Sequence, residues 1–278
     1  KGRSLVDGYG AARAAEIVIV DQTRAHAAEV TARLKAWERE KAIRWIRLDA
    51  PSIPRAMNTA LREASHPRVL FLDDDIIPSP RLVAGHAAAF PDDPDACIWA
   101  VAGQVLQPGE TPAHFDEATL RRGFVRDLEF RFTHDTATEV QNVMAGNLCV
   151  DRAKALSIGG FDEHYSAVAY RFETDFALRL VAAGGRIRYE PAASIRHLKV
   201  PGGGVRMWGD HRTSISPAHS MGDYYFARRH VPAFWRYVAR RLRNNIATRF
   251  HLRHPWTIPG KLIGELRGLV HAFRQEID

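Results

Sequence analysis

Two short apolar runs, Glu16–Asp21 (EIVIVD) and Arg68–Leu72 (RVLFL), each lead into aspartate, with helix–strand–helix patterning between them. Ala25–Glu40 carries Ala28, Leu34 and Trp37 at helical spacing, Ile43–Leu48 reads as a strand, and Ile53–Ala64 as a second helix. The resulting β-α-β-α-β order restricts the chain to an α/β fold with a doubly wound, mostly parallel sheet. Ligands of such sheets collect at the C-terminal strand ends, and Asp21 and Asp73 both fall on that edge.

The third strand ends in Asp73-Asp74-Asp75 before Pro78 stops the run. Strand alternation predicts Asp73 and Asp75 on one side and Asp74 on the other. Two carboxylates converging at a strand tip repel each other unless a cation lies between them. Oxygen ligands of this kind suit Mg²⁺ or Mn²⁺ rather than zinc, so a divalent metal holding a phosphate-bearing ligand is expected here.

Further along, residues 97–106 and 140–150 read as strands, separated by a polar, proline-bearing excursion over 107–139 that covers one side of the site. Asp151 starts a helix that Gly159-Gly160 ends, and another runs from about Arg171 to Ala183. Two short strands, Arg186–Tyr189 and Ser194–His197, precede the glycine-rich stretch Pro201–Gly204. Cys97 and Cys149 lack metal-ligand spacing and read as buried thiols.

No apolar run approaches the roughly 20 residues of a membrane-spanning helix, and Lys1–Gly10 lacks a signal-peptide core, so a cytoplasmic location is expected. The net charge of +7 is confined to residues 223–278, which hold eleven Lys and Arg against four Asp and Glu. That tail reads as helical. Phe234, Val238, Leu242, Ile246 and Phe250 recur every four residues, and a second segment after Pro259 runs through Leu262, Leu266, Leu269 and Phe273. Its stripes either pack onto the domain or, with Trp235, Tyr237 and Trp256, attach the chain to an anionic membrane surface. Nucleic acid is not an expected partner, because no recognition motif accompanies the charge. A catalytic domain over residues 1–220 and a basic, amphipathic extension over 221–278 are expected.

Taken in order, the strand ending in Asp73-Asp74-Asp75, the GGFDE of residues 159–163, the ETDFALRL of 173–180 and His197 resemble glycosyltransferase family 2. The resemblance covers roughly residues 16–200. It implies a GT-A fold and inverting transfer of a sugar from a nucleoside diphosphate donor, UDP-, GDP- or dTDP-linked, to the hydroxyl of a glycan or lipid-linked acceptor. Cell-surface glycan or glycolipid synthesis is the implied setting. Asp73 and Asp75 match the family's metal- and diphosphate-binding DxD motif, with Asp74 beside the donor. His197 matches its metal-binding histidine, and Asp21 the aspartate that contacts the nucleobase. The family's Glu-Asp pair aligns with Phe172-Glu173, a register fixed by Asp175 and Arg179, so Glu173 takes the place of the catalytic base. Where family members often show Ala-Arg-Asn, this chain has Ala56-Met57-Asn58, with Arg55 adjacent as a donor-binding candidate. The family's opening strand is not legible before Glu16.

Sugar transfer needs a base opposite the leaving group, and a helix N-terminus keeps Glu173 ionised for that work. Asp175 lies on another side of the same helix and is expected to pair with Arg179 or to orient the acceptor, which Asp162 also contacts. The Gly202–Gly204 loop, with Arg206, Trp208 and His211, is a candidate lid over the diphosphate. Two other functions compete: a non-catalytic nucleotide-sugar binder and an Asp-x-Asp phosphotransferase. The second leaves Asp21 and Glu173 without a role.

Overall fold

The computed structural model describes residues 13–91, 97–200 and 209–276. Among them the chain forms two compact units. One comprises Lys1–Pro51, Arg55–Phe161 and Phe176–Val200, and the other Ser52–Pro54, Asp162–Asp175 and Pro201–Asp278.

The first unit opens with strand β1 (Val18–Asp21), helix α1 (Ala28–Arg39), β2 (Arg44–Arg47), helix α2 (Ile53–Glu63) and β3 (Arg68–Leu72). This is the expected alternation, and β1 and β2 pair in parallel from Val18 opposite Arg44 to Asp21 opposite Arg47. A short strand β4 (Ile76–Pro78) and helix α3 (Leu82–Ala89) follow. Next come the long strand β5 (Ile98–Leu106), the one-turn helix α4 (Glu117–Leu120), β6 (Thr138–Val140) and β7 (Asn147–Asp151). Helix α5 (Arg152–Ser157), helix α6 (Phe172–Ala182) and β8 (Arg186–His197) complete this part of the chain.

Six strands form one sheet in the order β3-β7-β5-β8-β4, with β6 also on β8. β5 and β8 are parallel, whereas β7 is antiparallel to both β3 and β5. β3, β5 and β8 therefore share a direction and β7 is inserted against them. The short β4 and β6 run antiparallel to β8. From Ala100 to Leu106 β5 is buried without a break, as a strand covered on both faces should be. Ile76, Leu82, Val105, Ala193 and Ile195 form one core cluster, and Ala89, Phe90, Val101 and Cys149 another.

Several expectations need correction. The two strands read at 186–189 and 194–197 are one strand, β8, with a register irregularity opposite Gly103 and Gln104. The single strand read at 140–150 is two, β6 and β7, separated by residues 141–146. Pro78 does not end the extended backbone at once: it closes β4, whose place at the sheet edge tolerates a residue without an N–H. Cys97 is exposed rather than buried, in a left-handed conformation with φ of 53°, while Cys149 is buried and its thiol is pushed up to about 12 by burial.

In the second unit, helices α7 (Met221–His230), α8 (Phe234–Ile246), α9 (Arg249–Arg253) and α10 (Ile258–Arg274) make up the tail, with Pro259 in the first turn of α10. A buried ionic cluster joins α7, α8 and α10. Arg241 reaches Asp223, Glu265 and the His219 carbonyl, Tyr224 Oη donates to Glu265, and Tyr237 Oη donates to Asp223 at 2.7 Å. Burying these charges is tolerable because each is paired and hydrogen-bonded several times.

Candidate active site

The register of β4 on β8 builds the site. Ile76 lies opposite His197, and the Leu198 amide donates to the Asp75 carbonyl at 2.8 Å, so the end of β8 is laid beside the acidic tip of β3. Residues 73–75 are a bend joining β3 to β4 and not a continuation of the strand. Asp73 and Asp75 nevertheless converge, but through that bend and not through alternation. His197 Nε2 is 2.9 Å from Asp75 Oδ1 and 3.6 Å from Asp73 Oδ2, and one ligand atom from each of the three lies within 4.8 Å of the others. Asp74 is exposed and outside this group.

The donor set fits a divalent cation. His197 Nδ1 is buried without a hydrogen-bond partner among the described residues, so Nε2, turned toward both carboxylates, is the nitrogen available for chemistry. Desolvation pushes the Asp73 carboxyl up, with Asp75 and Asp74 adding repulsion and His197 opposing it. A bound cation would remove that repulsion, as expected of a preformed ligand pair.

Gly146 makes the approach possible. Its backbone carbonyl accepts from the Asp73 amide at 3.3 Å, and a Cβ there would sit 2.2 Å from Asp73 Oδ2. The next residue, Asn147, is fully buried and donates through Nδ2 to the Gln104 and Ala193 carbonyls at 3.0 and 2.8 Å. Its oxygen therefore faces His86 Nε2, 2.8 Å away, which must carry the proton. Burial holds His86 down at about 4, hence neutral. Neither Gly146, Asn147 nor His86 was singled out from the sequence, because their role arises from partners tens of residues away.

Asp21, at the end of β1, is buried and already engaged. The Thr23 amide donates to its Oδ1 at 2.8 Å, Trp45 Nε1 donates to Oδ2 at 3.0 Å, and His26 Nε2 lies 2.7 Å from Oδ2. Burial alone would push its carboxyl up, but these contacts outweigh that and hold the carboxylate below the ordinary range. Its neighbours His26 and Trp45 were not anticipated. Arg55 is half-buried in the first turns of α2. One turn on, Asn58 clamps the backbone of Phe161: its Nδ2 donates to the Phe161 carbonyl at 2.7 Å and its Oδ1 accepts from the Phe161 amide at 2.8 Å. Gly160, at φ of 68°, leaves the space for that amide.

The remaining acids belong to the second unit. Glu173 and Asp175 both lie in the first turn of α6, Glu173 half-buried and Asp175 fully buried. Asp175 Oδ1 lies 2.7 Å from His230 Nε2 and 3.4 Å from Arg229. Asp162 Oδ2 accepts from Arg229 at 2.6 Å and from Tyr225 Oη at 2.9 Å, while Oδ1 accepts from the His164 amide. Arg229 thus bridges Asp162 and Asp175. Arg179 donates to the Ile158 and Gly160 carbonyls, both at 2.8 Å. Arg206, Trp208 and the Gly202–Gly204 loop lie outside the described residues. A second group of ligand-type side chains, His114, His134 and Asp135, was not foreseen. There His134 Nδ1 accepts from the Phe115 amide at 3.3 Å and Asp135 accepts from Thr136.

Several solved structures are similar in fold. GalNAc-T7 with UDP, GalNAc and Mn²⁺ superposes with a TM-score of 0.52 and 13% identity, over 77% of this chain and 44% of that one. The mannosyltransferase PcManGT of Pyrobaculum calidifontis, in complex with GDP-Man and Mn²⁺, gives 0.51 and 19%, over 94% and 67%. S. aureus TarS in complex with UDP-GlcNAc gives 0.50 and 17%, over 77% and 55%. Among curated proteins, the pre-mycofactocin glycosyltransferase of Mycobacterium tuberculosis is 30% identical over 165 residues, which are 58% of this chain and 30% of that protein. The chain thus matches less than a third of that relative's length. Residues 5–147, just over half of the chain, match the profile of Glycosyl transferase family 2. The α/β architecture, the acidic tip of β3 and this match agree, and the chain belongs to glycosyltransferase family 2.

Proposed function

We propose that the chain is a metal-dependent, inverting glycosyltransferase that moves a sugar from a UDP-, GDP- or dTDP-linked donor to the hydroxyl of a glycan or lipid-linked acceptor in cell-surface glycan or glycolipid synthesis. The observation that carries this reading is the convergence of Asp73, Asp75 and His197 at one tip of the sheet, in a member of family 2. Similar folds solved with UDP and GalNAc, with GDP-Man and with UDP-GlcNAc, the first two also with Mn²⁺, support it. Two carboxylate oxygens and one imidazole nitrogen suit Mn²⁺ better than Mg²⁺, which prefers oxygen throughout. When bound, such an ion neutralises diphosphate oxygens and so lets the nucleotide depart.

The chain's own groups would do the rest. Asp73 and Asp75 supply the anionic oxygens and His197 the Nε2 lone pair. Asp21 and Arg55 contact the nucleotide side of the donor, and Asp74 lies beside its diphosphate. Glu173, kept ionised by the N-terminus of α6, accepts the acceptor hydroxyl's proton as that oxygen attacks the anomeric carbon. A single displacement inverts the centre and needs no covalent enzyme intermediate. Asp162 positions the acceptor, and the buried Asp175 holds Arg229 beside it.

A screen of nucleotide sugars with Mn²⁺, read by mass spectrometry, tests the assignment. Glu173→Gln is expected to lower turnover by roughly 10²–10⁴-fold while donor affinity is retained. Turnover at the wild-type rate in that variant would remove Glu173 as the base, and a chain that binds donor without ever turning it over would be a binder.

A further inference from the structure

Helix α10 is built inside out. Its buried positions are Lys261, Gly264, Glu265, Gly268 and Ala272, whereas Leu262, Ile263, Leu266, Val270 and Phe273 are exposed, Leu266 at 61%. At about 100° per residue these five apolar side chains occupy one arc and make a ridge roughly 17 Å long. Trp235, 65% exposed, extends it by stacking on Phe273 at 6.3 Å and 19°. Nine of the fourteen exposed large apolar side chains among the described residues lie between Ile215 and Phe273, so the feature is local to this unit.

The buried face cannot simply be exchanged for the apolar one. A Cβ at Gly264 would lie 2.6 Å from the Ser214 carbonyl, and one at Gly268 would lie 2.0 Å from Ser220 Oγ, so the helix backbone rests directly on residues 214–220. Glu265 is tied to Lys261 at 2.7 Å, to Arg241 at 2.9 Å and to Tyr224 at 2.7 Å. Turning the helix over would unpair those charges. The outward ridge is therefore the packed arrangement.

The ridge has a cationic border. Residues 223–278 carry the chain's whole excess of +7, and two of their four acids, Asp223 and Glu265, are buried against Arg241. Arg267 and Arg274 flank the ridge on α10, and Arg236, Arg243, Arg249 and Arg253 are exposed elsewhere in the same unit. A second copy of this surface would set like charges against each other. An anionic bilayer offers the complementary chemistry: phosphates for the arginines and an apolar boundary for the leucines and Trp235. No helix among the described residues is long and apolar enough to cross a membrane, so contact would be along the surface.

We propose that α10, extended by Trp235, docks the chain on an anionic lipid surface with the ridge sunk into the headgroup boundary. The full 278-residue chain is floated with phosphatidylcholine vesicles, with and without about a third phosphatidylglycerol. Flotation is expected on the anionic vesicles and to weaken at least ~10-fold without the anionic lipid or at high salt. Leu266→Asp, at an exposed position, should keep the wild-type melting temperature and lose ~10-fold or more in vesicle binding. The Arg267→Glu/Arg274→Glu pair should lose binding to anionic vesicles only, by about 5-fold or more per residue. Wild-type protein that stays with the pellet, or Leu266→Asp that floats like wild type, overturns the proposal. So does a wild-type dimer that Leu266→Asp converts to monomer without any vesicle binding, which would assign the ridge to a second copy.

Discussion

Gly146 has no room for a side chain because the Asp73 carboxylate occupies the place where a Cβ would go. Gly146→Ala should push that carboxylate aside and weaken Mn²⁺ binding by roughly 10–100-fold, the usual scale for disturbing a ligand's support, with the fold retained. Titration calorimetry with Mn²⁺ checks it, and wild-type affinity would show that Asp73 is not held where it must be. His86 supports the same corner from beneath. Its pKa falls from 6.5 to about 4 on folding, so the unfolded chain binds a proton in that window and the folded chain does not. Stability is then full above about pH 6.5 and declines as the pH drops toward 4, by roughly 3 kcal/mol in all. Urea midpoints across that range should reveal the slope, and His86→Gln should flatten it.

At the scale of elements, β3 was legible to the residue, because Val69–Leu72 is an apolar run bounded by charge on both sides. Helix α5 was legible from its cap, since Asp151 accepts from the Lys154 amide at 2.9 Å as a helix-starting aspartate should. Strand β4 was not, because Pro78 reads as a stop and only pairing to β8 reveals an edge strand. That pairing is what sets His197 beside Asp75, so the motif was readable in sequence while the cause of its geometry was not. Asn58 makes the same point. Its place in the Ala56-Met57-Asn58 stretch gives no sign of this contact, yet it holds the Phe161 backbone from a distance of 103 residues along the chain. Asn58→Ala would strand a buried amide and a carbonyl and should cost about 2–4 kcal/mol, measurable as a lowered denaturant midpoint.

For the whole molecule, ligand binding and folding are linked. A nucleoside diphosphate with Mn²⁺ should raise the melting temperature together, each much less alone, by the free energy RT ln(1 + [L]/Kd). The effect should vanish in Asp75→Asn, and a shift that survives there would place the nucleotide away from the β3 tip. UDP and GDP compared in this way would also rank the base preference. The inverted packing of α10 bears on how the chain tolerates sequence drift. Gly264, Gly268 and Lys261 are irreplaceable because they sit in the seam, whereas Leu262 and Leu266 can be traded for hydrophilic residues with little harm to the native state. Hydropathy alone would rank those positions in reverse.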